Sequence, residues 1–209
     1  MTNAIAGIVL AGGRSSRMGG GDKGLLALSG RPVLAHVLER FRPQVGPLAL
    51  NANGDASRFR AFGLPVVADT VGDFAGPLAG VLAGLDWTVA NTGLERMASI
   101  AADTPFLPRD LVARLAEAAV ASGRIAVACR EGRRHPVAAL WPTSVRAALR
   151  SALEAGERRM LAFLDAQGCV EVEFAAIRCG DFTVDPFFNI NTPSDLAEAG
   201  RLLEGWRHG

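Results

Sequence analysis

From Leu10 to Lys23 the chain reads LAGGRSSRMGGGDK, a glycine-rich loop that follows directly on an apolar run and holds Arg17 and Lys23 among its cations. Gly12 and Gly13 let the backbone come close to phosphate oxygens, and successive N–H groups in such a loop form an anion-binding concavity. Arg17 and Lys23 supply side-chain charge for a triphosphate or a departing pyrophosphate. Asp103 closes the apolar stretch RMASIAAD just before Thr104-Pro105. Magnesium is bound through one or two carboxylates plus substrate phosphates, and Asp103 suits that role, although Asp before Thr-Pro also suits a helix cap. Asn51 and Asp69 end two further apolar stretches, PLALN and LPVVAD. A turn residue is the plain alternative for Asn51.

Other phosphate-binding patterns fit less well. The pattern G-x-x-x-x-G-K-[ST] fails because Lys23 is followed by Gly24, so no hydroxyl is placed for a metal. A literal G-x-G-x-x-G exists at Gly19, Gly21 and Gly24, but it lies well past the end of the apolar run. Dinucleotide folds need those glycines at the strand-to-helix turn and an acid after the second strand, where this chain has Asn51.

The elements that must carry these residues alternate. Ala4 to Leu10 reads as a strand buried on both faces, and RPVLAHVLERF places Val33, Leu34, Val37, Leu38 and Phe41 at helical spacing. Strands ending at Asn51, Asp69 and Asp103 follow, with helices over GPLAGVLAGLDW and PRDLVARLAEAAVAS. This repetition predicts an α/β fold with a mostly parallel central sheet and helices on both faces. Ligands bind at the carboxyl ends of such strands, so the loop after Leu10, Asn51, Asp69 and Asp103 should meet in one crevice. In the second half, RIAVACREG and RRHPVAALW read as two strands joined by a charged turn. Ser144 to Glu154 reads as a helix and VEVEFAAI as a half-exposed strand. FFNIN reads as a short strand with Asn189 and Asn191 on one face, followed by a helix capped by Thr192 and Asp195.

With 209 residues, one domain over 1–209 is expected. A net charge of +1 argues against nucleic acid or an anionic membrane as partner. Cys129, Cys169 and Cys179 are widely spaced, which points to buried reduced thiols rather than a disulfide framework or a zinc site. AIAGIVLAGG lacks the basic flank of a signal segment, and no stretch reaches the roughly 20 apolar residues of a membrane span. A cytoplasmic protein is expected.

LAGGRSSRMGGGDKGLL resembles the signature loop of nucleotidyltransferases with a Rossmann-like fold, and within them most resembles the molybdenum cofactor guanylyltransferase (MobA) family. NAN at Asn51, VVADT around Asp69, GPLAG at Gly76, ADTP at Asp103, HPVAAL at His135, GERRM at Gly156 and FNINTP at Phe188 follow in the family's order. The resemblance implies Mg2+-dependent transfer of GMP from GTP to molybdopterin, with or without molybdenum. The products would be the guanine dinucleotide form of the cofactor and pyrophosphate. It implies GTP contacts from Leu10, Ala11, Gly12, Gly13, Lys23, Asn51, Asp69 and Asp103, with Arg17, Lys23 and Asp103 carrying the catalysis and Asp103 holding the metal. Glycine at position 12, where cytidylyl-transferring relatives tend to read LAAG, would leave room for a purine.

The half at about 1–105 would bind nucleotide and that at about 106–209 the acceptor. Acceptor candidates are Arg134 and His135, together with Arg133, then Arg158 and Arg159, then Asn189 and Asn191. Solvated surface is the competing reading for the arginine pairs. A phosphate is a competent nucleophile, so no Ser-His-Asp relay is needed; the histidines are His36, His135 and His208, with His36 read on a helix face. Family partners would include molybdenum-insertion proteins and recipient molybdoenzymes or their chaperones, met transiently. A nucleotidyltransferase using CTP or another phosphorylated acceptor is the alternative. A non-catalytic nucleotide-binding regulator is a third reading, against which Asp103 and Lys23 argue.

Overall fold

A computed structural model describes residues 4–12, 22–71, 76–179 and 182–208. The elements in chain order are β1 (Ala6–Leu10), β2 (Ala27–Leu28), β3 (Arg31–Pro32), α1 (Val33–Phe41), β4 (Leu48–Asn51), β5 (Val66–Val67), α2 (Pro77–Thr92) and β6 (Arg96–Ala101). There follow α3 (Leu111–Ser122), β7 (Ile125–Arg130), β8 (Arg133–Pro142), α4 (Arg146–Glu154), α5 (Met160–Gln167), β9 (Cys169–Glu173), β10 (Ile177–Cys179), β11 (Phe182–Val184) and α6 (Pro193–His208).

β1 is apolar throughout because both of its faces are covered. Ile8 packs with Leu78, Leu82 and Leu85 of α2, whereas Val9 belongs with Leu34, Val37 and Phe41 of α1. The same alternation along β6, β7 and β8 divides the core into two layers, one under α1, α3 and α6 and the other under α2, α4 and α5. Seven strands form the sheet in the order β5-β4-β1-β6-β8-β7-β9. β1 pairs in parallel with β4 and β6, as do β4 with β5 and β7 with β9. β8 runs antiparallel to both of its neighbours. The mostly parallel sheet with helices on both faces is therefore the observed architecture.

β8 opens the sheet next to the crevice. Val127 pairs with Ala139 but Ala128 pairs with His135, so the segment from Pro136 to Ala138 bulges out of the ladder. Pro136 has no N–H to give a neighbouring strand. Ser99 Oγ donates to the carbonyl of Val137 in this bulge at 2.6 Å and accepts from Trp141 Nε1 at 2.8 Å, both side chains being fully buried. Trp141→Phe removes the indole donor and leaves Ser99 underbonded in the core. The expected result is a urea midpoint lowered by the equivalent of about 1–2 kcal/mol, measured by tryptophan fluorescence or circular dichroism.

Two local expectations change, the strand before α6 and the burial of every cysteine. The segment before α6 is not a strand: the N–H groups of Ile190 and Asn191 go to Asp103 O and Asp195 Oδ2 instead of a ladder. His36 lies on α1 as expected, on its buried face, with Nε2 3.0 Å from the carbonyl of Leu28. Cys129 is buried, and burial pushes its thiol up to about 11, but Cys169 is only half-buried. The Cys179 side chain falls outside the described set. The cap of α6 forms as expected, Asp195 N–H donating to Thr192 Oγ1 and Thr192 N–H to Asp195 Oδ2. Among the described residues no helix is long and apolar enough to cross a membrane.

Candidate active site

The strand ends do meet. A cleft of about 1000 Å3 opens at the carboxyl edge of the sheet, lined by Leu10, Ala11 and Gly12 after β1, Asn51 at the end of β4, Asp69 beyond β5 and Asp103 beyond β6. Lys23 and Asn189 line it as well. Sheet-like hydrogen bonding runs one residue past the strands, Ala11 N–H to Asn51 O at 2.8 Å and Ala102 N–H to Leu10 O at 3.0 Å, which fixes the rim. Gly13 and Arg17 lie outside the described residues.

At one end of the cleft Asp69 is held by two amides. Asn51 Nδ2 donates to Oδ1 at 2.9 Å and Asn53 Nδ2 to Oδ2 at 2.7 Å, while Asp69 N–H returns a bond to Asn53 Oδ1 at 2.9 Å. Asn51 is buried, and its Oδ1 lies against the Cα of Gly80, where an added Cβ would stand 2.3 Å away. At Gly12 the nearest atom to an added Cβ is Asn51 Oδ1 at 3.9 Å, so a side chain there would project into the cleft itself.

At the other end stands Asp103. β5 and β6 are three strand spacings apart in the sheet, so Asp69 and Asp103 lie on the order of 14 Å from one another. Lys23 Nζ sits 3.6 Å from Asp103 Oδ2 and donates to Asn191 Oδ1 at 2.5 Å. Burial raises the Asp103 carboxyl above the usual carboxylate range, and the Lys23 charge opposes that shift. A partly buried carboxylate destabilised in this way gains from any cation brought to it.

Asp103 suits a divalent cation that arrives on a triphosphate. Among the described residues no group of three or more His, Cys, Asp or Glu forms a self-sufficient metal cage. Magnesium asks for less, since one or two carboxylates, phosphate oxygens and water complete its octahedron. The carboxylate of Asp22 is taken by Arg58.

The acceptor candidates separate. Arg158 and Arg159 line a second groove of about 590 Å3 with Pro136, Met160 and Asp165, and this groove shares Pro77 and Val137 with the cleft. Arg158 donates to the carbonyls of Leu153 and Glu157, whereas Arg159 pairs at the surface with the Glu157 carboxylate. Arg134 pairs with Asp165 at 2.6 Å and Glu171 at 3.6 Å, and His135 stacks on Phe187 with centroids 4.3 Å apart. Burial lowers the His135 imidazole. Neither Arg134 nor His135, nor Arg133 beside them, lines either cavity. Asn189 accepts from Thr104 Oγ1 at 2.6 Å.

Sequence reasoning passed over Asn53, Arg58 and Asp22. Asn53 carried a usable signal, since it stands two residues after Asn51 in the same extended segment. Arg58 carried none: it ties Asp22, at the exit of the glycine loop, to the carbonyls of Asn53 and Asp55, and only the fold brings those segments together.

A crevice at the strand ends, lined by Leu10 to Gly12, with a fixed polar end and a partly buried carboxylate beside a lysine, fits the nucleotidyltransferase class. The MobA-like NTP transferase domain model matches residues 7–170. A protein of Mesorhizobium japonicum called molybdenum cofactor guanylyltransferase is 57% identical over 98% of each chain, and one of Bradyrhizobium sp. with the same name is 51% identical over 96% of this chain and 94% of its own. The solved structure of molybdopterin-guanine dinucleotide biosynthesis protein A from Archaeoglobus fulgidus shares the fold, with a TM-score of 0.73 at 22% identity, covering 96% of this chain and 99% of that one. The chain belongs to the MobA-like nucleotidyltransferase family.

Proposed function

We infer that this chain transfers GMP from GTP to molybdopterin, forming the guanine dinucleotide of the cofactor and releasing pyrophosphate. The observation that carries the reading is the order of groups along the cleft, from Asn51 and Asp69 at one end to Lys23 and Asp103 at the other. The names of relatives that are 51–57% identical over nearly the whole chain give it the nucleotide and the acceptor. In this assignment Leu10, Ala11, Gly12, Gly13, Asn51 and Asp69 hold guanosine, while Arg17 and Lys23 face the phosphates.

A terminal phosphate oxygen of molybdopterin attacks the α-phosphorus of GTP in line. The bond from that phosphorus to its bridging oxygen breaks, and pyrophosphate departs with the electron pair. The chain's own part is positioning and charge, because the nucleophile needs no general base. Lys23 stabilises negative charge on the α-phosphate and the leaving group. Asp103 would hold the divalent cation that nucleotidyl transfer uses, Mg2+ in this reading, which supplies charge neutralisation at the phosphates when bound.

The groove of Arg158 and Arg159 meets the cleft at Pro77 and Val137, which supports placing the acceptor there. The half at 106–209 would then carry most of the acceptor site, with Val137 and Asn189 also reaching the nucleotide cleft. The reaction fits a cytoplasmic enzyme that meets molybdenum-insertion proteins and recipient molybdoenzymes or their chaperones transiently.

The test is pyrophosphate release from GTP with Mg2+, with and without molybdopterin. Release that requires both substrates is expected. Tighter binding of CTP or UTP than of GTP, or release with another phosphorylated acceptor only, would turn the reading toward a different nucleotidyltransferase.

A further inference from the structure

The turn before α6 reaches back 168 positions along the chain to the phosphate end of the cleft. We propose that Asn191 is a positioning residue for Lys23, its side-chain carbonyl holding the ammonium beside Asp103 so that the nucleotide's phosphates meet a cation already in place. The proposal rests on Lys23 facing those phosphates, as inferred above. A lysine ammonium rides on a flexible four-carbon stem, and ordering that stem costs side-chain entropy. At 3.6 Å, Asp103 attracts the ammonium without fixing its direction, whereas Asn191 Oδ1 at 2.5 Å does fix it. A neutral amide also orients the ammonium without cancelling the charge that the phosphates need.

Asn191 can act in this way because its own backbone is pinned. Asp195 Oδ2 accepts from the N–H groups of Asn191 and Thr192, both at 2.8 Å. One residue earlier, Ile190 is fully buried and its N–H donates to the carbonyl of Asp103 at 3.0 Å. Two residues earlier, Asn189 accepts from Thr104, the neighbour of Asp103. The cap of the last helix is thus coupled through three contacts to the carboxylate and lysine contributed by the first half of the chain. Asn191 lines neither cavity, and its acceptor atom is occupied by Lys23, which sets its role apart from that of an acceptor contact.

Binding of GTP with Mg2+ in the absence of acceptor, measured by titration calorimetry, tests this. Asn191→Ala should weaken binding about tenfold, the scale of a hydrogen bond to a charged group. Lys23→Ala should weaken it at least as much, and the double variant no further than Lys23→Ala alone, because the two side chains act as one unit. Asn191→Asp keeps the shape while adding a charge that neutralises Lys23 and repels the triphosphate; it too should bind at least tenfold more weakly, about 1.4 kcal/mol. Unchanged GTP affinity in both Asn191 variants, with a raised KM for molybdopterin, would make Asn191 an acceptor contact and overturn the proposal. Additive losses in the double variant would overturn it as well. Lys23→Ala binding GTP like the unaltered chain would sink the phosphate reading of Lys23 itself, and the proposal with it.

Discussion

Asp103→Asn is expected to reduce GTP-dependent pyrophosphate release by about a thousandfold and, at the same time, to raise the thermal midpoint of the folded chain at pH 7. Both effects come from one burial. The Asp103 carboxylate is 18% exposed, with Lys23 3.6 Å away, and loss of solvation outweighs the attraction of the lysine. Its folded-state pKa therefore lies above the unfolded value. A carboxyl of that kind favours the folded state below its unfolded pKa and loses that contribution as pH rises through its folded pKa, because the unfolded chain ionises more readily. At pH 7 the ionised Asp103 costs stability, and a neutral amide of the same shape removes the cost. The midpoint difference between the two proteins should shrink as the pH falls through the ordinary aspartate value of about 3.9, and level off below it, where the carboxyl is protonated in both states. Calorimetric scans across that range, paired with the release assay, read both effects. A variant that is inactive and less stable at pH 7 would mean that Asp103 is held by structural contacts and not kept charged for a cation. A variant with undiminished release would remove Asp103 from the chemistry.

What the sequence made legible follows from how the two faces of the sheet are filled. β1, β4 and β6 are continuous apolar runs because helices cover both sides, and each run stops where the chain must turn out of the sheet. Asn51 stands at the end of β4, Asp103 just beyond β6 and Asp69 just beyond the short strand β5, so locating the strands located the crevice. The acceptor side was less legible, because there the decisive partners are remote. Arg133, Arg134 and His135 read as a basic cluster, yet Asp165 of α5 and Glu171 of β9 take up Arg134, and Phe187 takes up the His135 ring. The alternation Phe188, Asn189, Ile190, Asn191 mimics a strand. The amides do both reach the end of the cleft that holds Lys23 and Asp103, but the backbone is pinned by Asp103 and Asp195 with no neighbouring strand. Asn53 stands in a legible segment, but its partner Asp69 lies 16 residues on and only the parallel pairing of β4 with β5 brings the two together.

Gly80 and Gly84 lie one turn apart on the same side of α2, and substituting each with alanine should separate binding from stability. At Gly84 a Cβ would stand 2.8 Å from Met97 Sδ and 2.9 Å from Ile8 Cγ1, in a fully buried layer. Overpacking of this kind costs about 1–3 kcal/mol, partly offset by the better helix propensity of alanine, about 1 kcal/mol. Gly84→Ala should therefore unfold at lower urea while binding GTP with unchanged affinity. At Gly80 the new Cβ would meet Asn51 Oδ1 at 2.3 Å and Leu10 Cδ2 at 3.0 Å. Asn51 can relieve that clash only by turning its amide away, which breaks its bonds to Val67 O and Asp69 Oδ1. Val67 O keeps the Ala52 N–H, so the fold tolerates the change, but Asp69 is left on Asn53 alone. Gly80→Ala should weaken GTP binding at least about tenfold, with a smaller loss of stability than Gly84→Ala. Leu10, which lines the same wall, cannot yield far without narrowing the cleft. Equal GTP affinities for the two variants would show that Asn51 and Asp69 do not contact the nucleotide, and the polar end of the cleft would then need another ligand.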